Sequence, residues 1–150
     1  MQDQPQGMER RMAHRFLMLW RAAQKSDPVP TLSSVLIQDV GDIETAIWVL
    51  DMNNGQEPIF ERIGTDYSAE GSCDLVGQSV SNVPENTLLG QAVHYYERVQ
   101  MKRIPITLGS EFVNAAGETI LYRSVIMPCL ADDGADRFLL GAANYKVKDA

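Results

Sequence analysis

Near the start of the chain, Met8, Met12, Phe16, Leu19, Trp20 and Ala23 recur at helical spacing on one face. Arg10, His14 and Arg21 lie opposite, with Arg11 and Arg15 along the flank. The pattern predicts an amphipathic helix ended by "SDPVP", followed by "TLSSVLIQDV" as a short helix or extended connector. From residue 45 the period shortens to that of strands. "TAIWVLD" and "PIFERIG", separated by the turn residues of "MNNGQE", predict a hairpin with Pro58 at the first position of an edge strand. "TDYSAEGSCDLVGQSVSNVPE" reads as short helical and loop pieces punctuated by Gly71, Gly77 and Pro84. The spacing then predicts one long helix over residues 86–102, with Asn86 as N-cap and Lys102 and Arg103 at its C-terminal end. "IPITLGSEFVN", "ETILYRSVIMPCL" and "RFLLGAANYKV" predict three closing strands, joined by the reversals "NAAGE" and "ADDGAD".

This order predicts an α+β domain: one five-stranded antiparallel sheet with helices on one face, preceded by the amphipathic helix. The expected divisions are a disordered tail over residues 1–7, the N-terminal helix and connector over 8–40, and the sheet domain over 41–148. In the long helix, Leu88, Leu89, Ala92, Val93, Tyr96 and Val99 share the face that must meet the sheet. At about 100° per residue, His94 falls nearly opposite, beside Arg98, and is expected in solvent. A ligand pocket, if the fold holds one, belongs between that helix and the sheet. Its candidate lining residues are Phe60, Ile63, Val93, Tyr96, Val99, Tyr122 and Leu140, each with a packed core as its default role. Met12, Phe16, Leu19 and Trp20 require a surface to dock on: their own domain, a second copy or a lipid interface. Own-domain docking or a homodimer is the expectation.

The chain of 150 residues suits one domain with a real core. Its net charge of −7 is uneven: residues 1–25 carry +3, with five Lys or Arg against Asp3 and Glu9, and the remainder carries −10. An acidic body repels phosphate backbones, so nucleic acid is not an expected partner, whereas the basic helix leaves a membrane surface open as the less favoured option. Cys73 and Cys129 form no CxxC and have no histidine at ligand spacing, so a zinc site is not indicated. The apolar run "FLMLW" is too short for a signal peptide or membrane span, and a cytoplasmic location is expected. No hydrolase, zinc-protease, P-loop or dinucleotide fingerprint appears. Asp132, Asp133 and Asp136 lack the spacing of a calcium loop, and no metal is expected. A small enzyme with a hydrophobic pocket remains the rival reading, with no candidate base.

Four segments, in order and spacing, resemble a PAS domain. They are "FLMLWRAAQKSDPVPTLSSVLIQDV", "FERIGTDYSAEGSCDLVGQSVSNV", "YYERVQMKRIPI" and "SVIMPCLADDGADRFLLGAANY", with "RIGTD" leading to "DLVGQSV" the most specific. The likeness spans about residues 15–146, and more narrowly the chain resembles a variant PAS family of α-proteobacteria that often occurs as small stand-alone proteins. It implies a non-catalytic sensory or protein-interaction module in signal transduction, with a small ligand optional and no cofactor required. It also implies a partner such as a kinase or cyclic-nucleotide enzyme, and a homodimer. A haem-binding PAS domain offers a histidine from the long helix toward the sheet, whereas His94 is phased away from it. A light-sensing flavin domain carries its cysteine in an Asn-Cys-Arg type motif, and Cys73 stands instead in "GSCDLVG".

Overall fold

The computed structural model describes residues 10–149. The expected tail over residues 1–7, and Met8 of the apolar stripe, lie outside the described residues. Helix α1 (Arg10–Ala22) is followed by α2 (Leu32–Leu36), whose N-cap Thr31 accepts from the Ser34 amide, and by a 3-10 turn, Gly41–Ala46. Strands β1 (Ile47–Asp51) and β2 (Ile59–Ile63) form the first hairpin, reversed through Asn53, Asn54 and Gly55 with positive φ. After short 3-10 turns come α3 (Leu88–Ala92) and α4 (Tyr96–Lys102), then β3 (Ile106–Val113), β4 (Thr119–Leu130) and β5 (Asp136–Val147).

All five strands form one antiparallel sheet in the order β2-β1-β5-β4-β3. β2 is an edge, as its proline implies, and its free side is shielded where the Phe60 amide donates to Gln78 and the Gly77 amide donates back to Phe60.

Alternation along the strands divides the core in two. Ile47, Val49, Val125, Met127, Leu140 and Ala142 face outward and are covered by α1 and α2. Trp48, Leu50, Tyr122, Ile126, Leu139 and Ala143 face inward, beneath α3 and α4. The Trp20 indole donates to the Pro128 carbonyl at 2.7 Å, fixing α1 to β4.

Of the surfaces open to the apolar stripe of α1, the structure takes its own domain: Met12, Phe16 and Trp20 are buried against the chain's own sheet and Leu19 is half-buried there, so the candidate dimer or partner interface on these four is not available. Two further expectations are corrected. The predicted long helix is two helices separated by a turn at 93–95, capped by Thr87 rather than Asn86. A run of β-branched and aromatic residues, Val93 to Tyr96, has weak helical preference, and the His94 ring packs edge-on to Tyr95 at 4.9 Å within the turn. Leu140 belongs to the outer layer, one strand position out of phase with the pocket assigned to it.

Candidate functional site

The inner layer is where the fold could hold a ligand, and large rings occupy it. β1 places Trp48 inward, aligned with Gly141 on β5 and Ile63 on β2. The indole packs against Gly141, where a methyl group would overlap its ring atoms, so only glycine admits it. Behind it, the turn Thr65–Glu70 delivers Tyr67 into the interior, fully buried. The Tyr67 hydroxyl donates to the Ala46 carbonyl at 2.6 Å and accepts from the Ala143 amide at 3.1 Å, tying this turn to β1 and β5. Burial pushes that hydroxyl far above the usual tyrosine range, so it remains a neutral donor.

The helical cover is held from outside. Glu70 accepts from the Leu88 and Leu89 amides at 2.8 and 3.1 Å, and the Thr87 hydroxyl accepts from the Gly90 amide at 3.0 Å. Thus anchored, α3 lays Leu88, Leu89 and Ala92 on the sheet, and α4 adds Val99. The Tyr122 hydroxyl, raised in pKa chiefly by desolvation, donates to Gln91 Oε1 at 3.2 Å.

Of the candidate pocket residues, Phe60, Val93, Val99 and Tyr122 meet in this layer, and Ile63 and Tyr96 sit half-buried at its margin. Tyr96 is also raised in pKa, again chiefly by desolvation. They pack on one another and on Trp48 and Tyr67, which sequence reasoning did not place there. The signal for the indole was the small-residue run "GAA" at 141–143, which leaves room above β5. Trp48 Nε1 and Ser124 Oγ are buried in this layer without a hydrogen-bond partner in the protein.

No family model and no curated protein matches the chain. Solved structures do. A PAS domain from Bordetella pertussis BvgS superposes with TM-score 0.52 at 16% identity over 71% of this chain and 82% of its own. A fungal LOV domain photoreceptor gives TM-score 0.51 at 12% identity over 90% and 91%. The PAS domain of the fruit-fly ELK potassium channel gives 0.50 at 10% identity over 78% and 97%.

The fold is that of a PAS domain. Its interior is a poor host for the two large cofactors associated with such folds. A histidine-ligated haem would need an inward imidazole, and both described histidines, His14 and His94, are exposed. Trp48 and Tyr67 fill the inner layer that such a group would have to enter. A flavin meets the same obstruction, and the half-buried Cys73 is engaged elsewhere, its thiol donating to the Gly64 carbonyl at 3.5 Å. The residues present do not fit either group.

The remaining chemical candidates of the chain are spoken for singly. Asp132 accepts from Ser33, Asp133 from the Ala135 amide, and Asp136 pairs with Arg103 at 3.0 Å. Among the described residues, no group of three or more His, Cys, Asp or Glu side chains could hold a metal. No described helix is long and apolar enough to cross a membrane.

Proposed function

We propose that the chain is a sensory PAS module, without catalysis of its own, that acts by binding a signalling protein such as a kinase or a cyclic-nucleotide enzyme in the cytoplasm. The observation that carries this reading is the filled inner layer. Trp48, Tyr67, Phe60 and Tyr122 fill the space between helices and sheet where a ligand pocket was expected, which supports exchange of information at the surface.

The mechanism is a population shift: a partner that prefers one packing of helices on sheet biases the module toward it. A small polar ligand has one foothold, the unpartnered Trp48 Nε1 and Ser124 Oγ. A homodimer, if formed, would use surfaces other than the stripe of Met12, Phe16 and Trp20, which is already covered.

The test is chemical cross-linking of the full chain in its source cells, followed by reconstitution with each captured protein. Enrichment of a signalling enzyme whose activity changes when the purified chain is added supports the reading. Turnover of a small molecule by the chain alone, with no such enzyme captured, contradicts it.

A further inference from the structure

The helices do not cover the whole inner face. Beyond the N-terminus of α3, the register sets Val147, Ile120 and Phe112 in one row across β5, β4 and β3, with Tyr145 two residues back on β5. Ile120 is buried and Phe112 half-buried, whereas Tyr145 and Val147 remain 42% and 44% exposed. They floor an open cleft of about 520 Å³. One wall is the turn Thr65–Glu70 with the start of α3, and the other is the β3–β4 hairpin loop.

The rim is acidic. Asp66 and Glu70 stand on one wall and Glu118 on the other, and none takes part in an ion pair among the described residues. Glu70 is held by the α3 amides and Glu118 by the Asn114 side chain at 3.0 Å, so both charges are fixed in place. The neighbouring lysines do not neutralise them. Lys146 belongs to the opposite face of the sheet, and Lys148 lies 3.7 Å from Glu111.

A floor three strands wide measures about 10 Å, the diameter of one α-helix with its side chains. We infer that this cleft docks a basic amphipathic helix of the partner protein, with its apolar stripe on Val147, Ile120, Phe112 and Tyr145 and its Lys or Arg flanks against Asp66, Glu70 and Glu118. The inference rests on the interaction-module reading and gives it a location and a partner chemistry. The chain's own helix α1 has this character but is not the occupant, because its stripe is committed to the outer face. The acidic body, −10 outside residues 1–25, steers a cationic partner toward the cleft.

The experiment is an amide-correlation NMR titration of the isotope-labelled full chain with a synthetic leucine-lysine amphipathic helix of about 18 residues. A peptide with glutamate in place of lysine and a short-chain alkylamine serve as separate probes. The expected result is saturable shifts confined to residues 112–120, 145–147 and the turn at 65–70. They should weaken at about 0.5 M salt and be absent with the glutamate peptide. Val147→Glu and Glu118→Lys should each weaken binding about tenfold, while Glu97→Lys on exposed α4 leaves it within about twofold.

Shifts that map instead around the exposed Met101 and Ile104 would overturn the cleft assignment and leave the module reading standing. Absence of shifts, or unchanged affinity in the two cleft variants, would overturn the assignment outright. Equal shifts from the alkylamine would make this a small-cation site and end the helix proposal. Failure of the module reading itself is scored separately, by the cross-linking and reconstitution experiment.

Discussion

The middle and the distal end of the sheet's inner face are built from the same strands and differ in what lies over them. In the middle, Trp48, Tyr67, Tyr122 and Leu139 are sealed under α3 and α4. At the end, Tyr145 and Val147 continue β5 with the same alternation and meet solvent. One strand therefore carries a residue whose role is stability and, a few positions on, residues available for contact. The difference follows from where Glu70 and Thr87 start α3, because the sheet runs on past the point at which its cover begins.

The contrast can be broken most forcefully at Trp48. Trp48→Ala should cost about 3–5 kcal/mol, measured by denaturant unfolding, because truncating a buried ring leaves a cavity that Gly141 cannot fill. A cost below about 1 kcal/mol would mean the middle is not closely packed. Tyr67→Phe keeps the ring but leaves the Ala46 carbonyl and Ala143 amide without their partner, and should cost about 1–3 kcal/mol by the same measurement. Glu70→Ala removes the acceptor of two α3 amides. About 1 kcal/mol is expected, with faster amide exchange over residues 88–92 as the local readout.

How far this contrast was readable beforehand depended on how unambiguous each local pattern was. The five strands and their turns were legible because "TAIWVLD" or "NAAGE" carries one dominant signal. His94 lies exposed, where a helical phase of about 100° per residue puts it, and the break at 93–95 leaves that outcome intact. Leu140 was misplaced because "FLLGAA" is small or apolar on both sides, so alternation along β5 gave no phase. The destination of α1 was open because an amphipathic stripe states that it must dock and not where. The cleft was missed for a related reason. Phe112, Ile120 and Val147 look like core in any strand pattern, and only the tertiary placement of α3 leaves this end of the sheet, Val147 and Tyr145 above all, within reach of solvent.

Smaller effects sharpen the comparison at its edges. Asp51 is held below its ordinary pKa of 3.8 chiefly by the hydrogen bond from Arg137, with the charge of that guanidinium adding to it. A depressed carboxylate pKa contributes stability that is complete above the unfolded value and is lost as pH falls through the folded one. Because the Arg137 side chain is about half exposed, solvent screens the pair and its contribution is small. Asp51→Asn should remove that fraction of the acid-side loss in a pH series of unfolding measurements, and leave the rest. Tyr145→Ser and Val147→Ser should change stability by only about 0.5 kcal/mol or less, since both are substantially exposed. A loss matching that of Trp48→Ala would show the distal end to be core rather than contact surface.

The central claim, that the interior is filled by the chain's own side chains and the module works at its surface, is tested most directly by a native mass spectrum. The freshly purified full chain would be recorded beside its denatured mass. The account predicts native ions at the mass of the bare chain or a whole multiple of it. An excess the size of a haem or a flavin, lost on denaturation, would contradict it and require Trp48 and Tyr67 to give up the space they fill.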